Sequence, residues 1–140
     1  MTTDKTRITV KATVNAPVEK VWKFWTLPEH IKKWNNASED WHTLSAENDL
    51  RKGGKFNSRM EAKDGSFGFD FWGIYEEIKT NEQIAYTLGD GRMVDIRFNA
   101  DGNTTTLTET FEAEMENTVE LQQSGWQAIL NNFKNYAENN

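Results

Sequence analysis

Near its start, the chain alternates between apolar and polar residues. The apolar side chains at every second position are Ile8, Val10, Ala12 and Val14. A period of two predicts a β-strand with one buried face. The next stretch, VEKVWKFWT, repeats its apolar residues every three or four positions, which predicts a helix that begins just after Pro17. Pro28 interrupts this period, so PEHIKKW is predicted to be a second short helix.

Extended segments separated by glycine-containing turns make up the middle of the chain. We predict strands over 41–50, 55–62, 65–75, 82–88, 92–100 and 103–115. From 119 to 138 the apolar period changes to about 3.6 residues, which predicts a long helix. Its predicted inner stripe consists of Val119, Gln122, Trp126, Ile129, Leu130, Phe133 and Ala137. This order predicts one α+β domain over 1–140, an antiparallel meander whose apolar face is covered by the last helix.

The turns determine which residues face each other across neighbouring strands. We place a two-residue turn at 64–65, a three-residue turn at 89–91 and a two-residue turn at 101–102. The first two turns predict the pairs Ala62 with Phe67, Met60 with Phe69, Ser58 with Phe71, Phe56 with Gly73, Ile84 with Ile96, and Tyr86 with Val94. The third turn predicts the pairs Phe98 with Thr105, Ile96 with Leu107, Val94 with Glu109, and Arg92 with Phe111.

These pairings collect most apolar strand residues on one face of the sheet. That face is predicted to contain Phe56, Ser58, Met60, Phe67, Phe69, Phe71, Tyr75, Ile84, Tyr86, Val94, Ile96, Phe98, Leu107, Glu109, Phe111, Ala113 and Met115. The opposite face is polar except for Trp72 and Ile74, which are expected to be covered by another element or to form an exposed patch. Gly68 and Gly73 should let their strand coil, and strong curvature opens space beneath a sheet.

Composition narrows the possible chemistry. The chain has 140 residues, no Cys and a net charge of −6. The missing thiols exclude cysteine nucleophiles, disulfides and cysteine-ligated zinc. The negative charge argues against nucleic acid as a partner. The chain has no apolar signal segment and no run of about 18 apolar residues, so we expect a cytoplasmic protein that does not insert into a membrane.

Glu109 is the unusual residue on the predicted inner face. A lone buried carboxylate is costly, so Glu109 should be paired, hydrogen-bonded or neutral, and we expect it to pair with Arg92 at a cavity mouth. The alternative is that it polarises a ligand or acts as an acid or base. His42 is expected to be at the surface or partly buried, with a position in the pocket as the alternative, and His30 lies on the second helix. Two distant histidines predict no metal site, and no motif predicts a cofactor.

Several segments of the chain resemble one protein family. They are APVEKVWKFWTLPEHIKKW, DLRKGGKF, GIYEEI, DGR and GWQAILNNFKNYAE. From about residue 8 to residue 137, the chain is similar to the activator of Hsp90 ATPase homologue 1-like family of the START/Bet v 1-like superfamily. The resemblance implies a helix-grip fold, in which a curved antiparallel sheet wraps around a long C-terminal helix and leaves a cavity. The superfamily includes lipid carriers, hormone receptors, polyketide cyclases and folding cofactors.

The apolar face and the resemblance together lead us to expect binding of a small apolar or lipid-like ligand rather than catalysis. The expected binding residues are Ser58, Met60, Phe69, Phe71, Tyr75, Tyr86, Val94, Ile96, Glu109, Trp126, Leu130 and Phe133. One alternative is an adaptor for an Hsp90-type chaperone or another protein partner, acting through Trp72 and Ile74 on the outer surface. Another is a cyclase or hydrolase that uses Glu109 or His42.

Overall fold

The structure is a computed structural model, and it describes residues 6–36 and 38–140. In chain order the elements are β1 (Arg7–Val14), α1 (Val18–Thr26), α2 (Pro28–Trp34), β2 (Trp41–Asn48), β3 (Lys55–Ala62), β4 (Gly68–Lys79), β5 (Gln83–Leu88), β6 (Met93–Asp101), β7 (Thr104–Glu112) and α3 (Val119–Asn139). The strands form one seven-stranded antiparallel sheet in the order β1-β7-β6-β5-β4-β3-β2. The predicted α+β helix-grip fold is confirmed. Among the described residues, no helix is long and apolar enough to cross a membrane.

Most elements bury the residues that their sequence periods predict. In β1, Ile8, Val10 and Val14 are buried and alternate with exposed residues. The strand pairs with β7 along its whole length. α1 and α2 bury Trp22 and Trp34, respectively, and both helices contact α3. The two short helices therefore fill the space between the sheet and one half of α3.

Two of the three predicted turn registers are confirmed. Between β3 and β4, Met60 lies opposite Phe69 as expected. Between β5 and β6, Tyr86 lies opposite Val94. These pairs bring aromatic and aliphatic side chains from neighbouring strands onto the same face, where they stabilise the sheet by cross-strand contact.

The predicted register between β6 and β7 is wrong by two residues. Ile96 pairs with Glu109, because the turn is formed by residues 102–103 instead of 101–102. Gly102 has a φ of 64°, and a type II′ turn needs positive φ at the first of its two residues, which favours glycine there. The observed pairs are Val94 with Phe111, Ile96 with Glu109, Phe98 with Leu107, and Ala100 with Thr105. A shift of two residues leaves every side chain on its predicted face, so the set of residues predicted for the inner face does not change.

Some residues predicted for the inner face are exposed. Phe67 and Phe69 are 62% and 40% exposed, because they lie near the tip of the β3–β4 hairpin, where the ring of Trp41 packs beside them. Met115 is 96% exposed, because β7 ends at Glu112 and the strand period no longer applies beyond it. Phe71 and Ala113 are half-buried, and the other residues predicted for the inner face are buried as expected.

Irregularities in β2 and β4 bend the sheet. The pairing register shifts after Thr43 in β2 and after Tyr75 in β4, and such bulges increase local twist. Gly73 in β4 lets the ring of Phe56 lie across the strand, since a side-chain carbon at Gly73 would come within 2.9 Å of that ring. The sheet can therefore curve around a space beneath it.

α3 is buried unevenly along its length. Its first turn is capped by the Thr118 hydroxyl, which accepts a hydrogen bond from the backbone N–H of Leu121. Leu130 and Phe133, in the second half, are fully buried. Val119 and Leu121, in the first turn, are 40% and 60% exposed, so the predicted burial of Val119 is wrong.

This difference divides the interior into two regions. The closed end lies under the C-terminal half of α3 and is formed by Trp22, Trp25, Trp34, Phe98, Leu130 and Phe133. Trp25 and Trp34 also border the second region. The open end lies under the N-terminal half of α3 and is formed by Ser58, Phe71, Tyr86, Glu109 and Trp126.

Candidate functional site

A cavity of about 380 Å³ occupies the open end, between the inner face of the sheet and the N-terminal half of α3. The predicted binding residues that line it are Ser58, Met60, Phe69, Phe71, Tyr75, Tyr86, Ile96, Glu109 and Trp126. The exposed side chains of Phe69 and Leu121 belong to its lining, which places the opening of the cavity near the start of α3.

The other predicted binding residues, Val94, Leu130 and Phe133, lie in the packed core. Phe133 packs edge-on against Trp25 and Trp34, with ring centroids 4.9 and 5.0 Å apart. Leu130 is fully buried at the closed end, and Val94 is 2% exposed in the middle of the sheet. The residue pattern identified the inner face, but it did not indicate where along that face the packing ends.

Several residues of the cavity wall were not assigned to it from the sequence. Trp25 and Ile31 come from α1 and α2, where the apolar spacing of the short helices was the available signal. Asn48, at the end of β2, accepts a hydrogen bond from the Tyr75 hydroxyl at 2.5 Å between the oxygens. Nothing in the local sequence marks Asn48, because its partner lies 27 residues away.

Glu109 is the most deeply buried carboxyl group of the cavity wall. Its residue is 5% exposed and lies between Val10 of β1 and Ile96 of β6. Within the described residues, its carboxyl group has no hydrogen-bond or ion-pair partner. Burial raises the pKa of Glu109 to about 8, since the charged form loses its hydration without compensation. At pH 7 the neutral carboxylic acid therefore predominates.

The predicted ion pair between Arg92 and Glu109 is not formed. Arg92 lies in the turn before β6, and its Nε binds the Asp90 carboxylate at 2.7 Å. The Asp90 carboxylate also accepts a hydrogen bond from the Arg92 backbone N–H. This local pairing closes the turn and engages the Nε of Arg92, while the side chain still contributes to the cavity wall.

Two hydroxyl groups that line the same cavity are also without a side-chain hydrogen bond in the part of the chain that the structure describes. Tyr86 and Ser58 are each 6% exposed, and both line the cavity. Burial raises the pKa of the Tyr86 phenol well above its usual value, and the nearby Glu109 carboxyl raises it further. The wall therefore combines aromatic surface with polar groups that the protein itself leaves unpaired.

Comparisons with known proteins identify the family. The sequence profile described as "Activator of Hsp90 ATPase homolog 1-like protein" matches residues 15–138. The chain belongs to this family. A comparison with curated proteins found no match.

Several proteins of known structure have the same fold as this chain. The solution structure of an AHSA1-like protein from Aeromonas hydrophila is 42% identical, with a TM-score of 0.90 over 96% of this chain and 93% of that one. A protein from Cytophaga hutchinsonii is 57% identical, with a TM-score of 0.83 over 95% and 92% of the two chains. A crystal structure from Chromobacterium violaceum, 24% identical with a TM-score of 0.85 over 95% and 98%, shows the fold alone.

The histidines of this family member lie outside the cavity wall. His42 is half-buried on β2 opposite Glu61. His30 stacks on the ring of Phe24, and its Nδ1 lies 2.6 Å from the Tyr136 hydroxyl. Among residues 6–36 and 38–140, no group of three or more His, Cys, Asp or Glu side chains could hold a metal ion. Of the two residues suggested for acid or base chemistry, the structure brings only Glu109 to the cavity.

The outer patch suggested for a protein partner is partly covered. Trp72 is 38% exposed, and its indole lies so close over Gly89 that a side-chain carbon there would meet it at 2.4 Å. The Lys55 ammonium lies 4.8 Å from the centre of the same ring. The indole is thus held between a backbone turn and a cation, and Ile74 beside it is half-buried. An adaptor function stays a prediction.

Proposed function

We propose that this protein binds a small, largely apolar molecule in the cavity between the sheet and α3. A volume of about 380 Å³ falls in the range of about 300–1,000 Å³ that is usual for small-molecule sites. START-like proteins, to which the family is related, generally bind hydrophobic ligands. Aromatic walls with a few polar groups are typical of such sites.

The observation that carries this proposal is the set of unpaired polar groups in the cavity wall. Buried polar side chains in proteins are nearly always hydrogen-bonded to other protein groups or to ordered water, so a wall with several that have no protein partner is unusual. A cavity that results from imperfect packing would be expected to have an apolar wall. Ser58, Tyr86 and Glu109 all line this cavity without a side-chain partner in the described part of the chain, which favours a site that a ligand completes.

Filling the cavity tests the proposal. The neutral fluorescent probe N-phenyl-1-naphthylamine brightens in apolar sites, so its titration reports occupancy. We expect Ser58→Phe to weaken probe binding by at least about tenfold, because the new ring enters the cavity opposite Phe71. Ser45→Phe is the matched control, since Ser45 is exposed on the neighbouring edge strand β2.

The outcomes of this experiment are distinct. Binding by the wild type and the control, with loss in Ser58→Phe, would support the site, provided that circular dichroism shows all three proteins to be folded. Equal binding by all three, or no binding by any, would contradict the proposal. Native mass spectrometry of freshly purified protein should also show a co-purified small molecule that is absent from Ser58→Phe.

A further inference from the structure

The following inference deepens the proposed function and rests on it. We propose that the ligand carries a carbonyl oxygen, which accepts a hydrogen bond from the neutral carboxyl group of Glu109 and a second one from the hydroxyl of Tyr86. The inference starts from where these two groups lie and from what surrounds them.

The surroundings of Glu109 provide no compensation for a negative charge. Its neighbours along the inner face of β7 are Leu107 and Phe111, which are 0% and 1% exposed. Across the strands it faces Val10 and Ile96, which are 2% and 1% exposed. An isolated carboxylate in such a place is so unfavourable that the group is protonated instead. The pKa of about 8 agrees with this expectation.

Charged and titratable groups from the other elements around the cavity do not change this conclusion. Tyr86 on β5 is a neutral phenol, and Arg92 in the turn before β6 is paired with Asp90. Glu47 on β2 and Glu114 before α3 also line the cavity, and they add negative rather than positive charge. None of these groups forms an ion pair or a hydrogen bond with the Glu109 carboxyl group within the described residues.

α3 contributes amide and indole groups to the same wall, and its amide is already occupied. Gln122 accepts a hydrogen bond from the Glu114 backbone N–H and donates one to the Asn117 carbonyl, both at 2.8 Å. The ring of Trp126 stacks on Phe111, with centroids 3.8 Å apart. α3 therefore offers Glu109 an aromatic surface and no free acceptor among these groups.

A protonated carboxyl group is a hydrogen-bond donor, and so is the phenol of Tyr86. Two donors that line one apolar cavity without partners suit an acceptor on the ligand. A carbonyl oxygen has two lone pairs and can accept both hydrogen bonds while remaining uncharged. A protonated amine fits less well, because it would bring its own charge next to a carboxyl group that is neutral.

Three naphthalenes with different substituents test the inference. The probes are 2-acetylnaphthalene, which has a carbonyl group, 2-ethylnaphthalene, which has nearly the same shape without one, and 2-naphthylmethylamine, which is a cation. At pH 6 we expect the wild type to bind the acetyl compound about tenfold more tightly than the ethyl compound, which is the usual value of one or two buried hydrogen bonds. At pH 9.5, above the pKa of about 8, this preference should fall sharply as Glu109 ionises.

Two substitutions separate hydrogen bonding from packing. Glu109→Gln keeps a donor that does not titrate, so the preference for the acetyl compound should persist at both pH values. Glu109→Leu removes the donor, so the preference should fall at both pH values while the ethyl compound still binds. If Glu109→Leu does not fold, the comparison of wild type with Glu109→Gln at the two pH values still decides the question.

Other results would overturn the inference. Equal binding of the acetyl and ethyl compounds by the wild type at pH 6 would show that the site does not recognise a carbonyl group. The proposed function, binding of a small apolar molecule, would not be affected by this result. Tightest binding of the amine, increasing with pH, would show that Glu109 recognises a cation. Failure of all three compounds would overturn the inference, and the N-phenyl-1-naphthylamine titration would then show whether the proposed function fails as well.

Discussion

The closed end and the open end of this protein are both rich in aromatic rings, yet they differ in whether the polar side chains compared below have hydrogen-bond partners. At the closed end, the Trp34 indole N–H donates to the Phe24 carbonyl at 2.9 Å, and the Thr105 hydroxyl donates to the Ala16 carbonyl at 2.9 Å. At the open end, Glu109 and Ser58 have no such side-chain partners within the described residues. Ring content therefore does not distinguish the two ends, whereas the hydrogen bonding of these side chains does.

Close ring pairs occur at both ends, including Trp126 on Phe111 at the open end with centroids 3.8 Å apart, but single rings differ in how deeply they are buried. Phe133 at the closed end contacts two Trp rings edge-on with centroids about 5 Å apart. Phe71 at the open end is half-buried, and its centroid lies 6.2 Å from that of Trp126. Since α1 and α2 fill one end of the inner face and leave the other, the same sheet supplies both a core and a cavity.

The largest expected effect is a pH dependence of stability that originates at the open end. The pKa of Glu109 is about 8 in the folded protein, against 4.5 for an exposed Glu, so the folded state holds the proton more tightly. This contribution to stability is fully present below pH 4.5 and is lost as the pH rises through about 8. A shift of this size corresponds to about 5 kcal/mol as an upper value.

Urea unfolding at a series of pH values measures this dependence. Glu109→Gln serves as the control, because the amide has a similar shape and does not titrate. We expect the free energy of unfolding to fall between pH 4.5 and pH 8 more steeply for the wild type than for the variant. Parallel pH profiles of the two proteins would show that folding does not raise the pKa of Glu109, and would remove the contrast with the satisfied closed end.

Truncating one ring at each end should give the next largest effect. Phe133→Ala should cost about 3–5 kcal/mol in the free energy of unfolding, because it opens an enclosed cavity among packed rings. Phe71→Ala should cost about 1 kcal/mol, because the ring is half-buried and already borders open space. Chemical denaturation at pH 6 measures both values, and similar costs for the two variants would mean that the open end is packed as tightly as the closed end.

Removing one hydroxyl at each end should give the smallest effect. Thr105→Val leaves the Ala16 carbonyl without its donor, so we expect a loss of about 1–3 kcal/mol. Ser58→Ala removes a hydroxyl that has no partner in the described chain, so the change should lie within about 0.5 kcal/mol. Thermal or urea unfolding checks this pair, and a cost for Ser58→Ala as large as that for Thr105→Val would reveal a hydrogen bond to Ser58 in the free protein.

Particular residues show how far sequence reasoning reached into the site. The turn at 64–65 has a glycine with positive φ, and it correctly placed Ser58 opposite Phe71 and both on the inner face. The cavity also contains Tyr86, Ile96 and Glu109 as expected. The two-residue period was enough to assign these residues to the inner face, because successive side chains of a strand alternate between the two faces of the sheet.

The same reasoning failed where a residue had a choice of partner. Arg92 was expected to bind Glu109, but it binds the carboxylate of Asp90, which lies two residues away in the same turn. Phe133 was expected in the cavity, but α1 and α2 supply the tryptophans that enclose it. Neither outcome follows from spacing, because both depend on which elements meet in three dimensions.

By itself, the sequence determined the element order, the curved antiparallel sheet, the covering helix and the residues of the inner face, because periodicity and turn chemistry act locally. Only the tertiary structure decided that α1 and α2 fill one half of the space under the sheet and leave the other half as a cavity. It also decided that Glu109 lies there without a partner, because burial and hydrogen bonding depend on side chains that are distant in the chain and are brought together by packing.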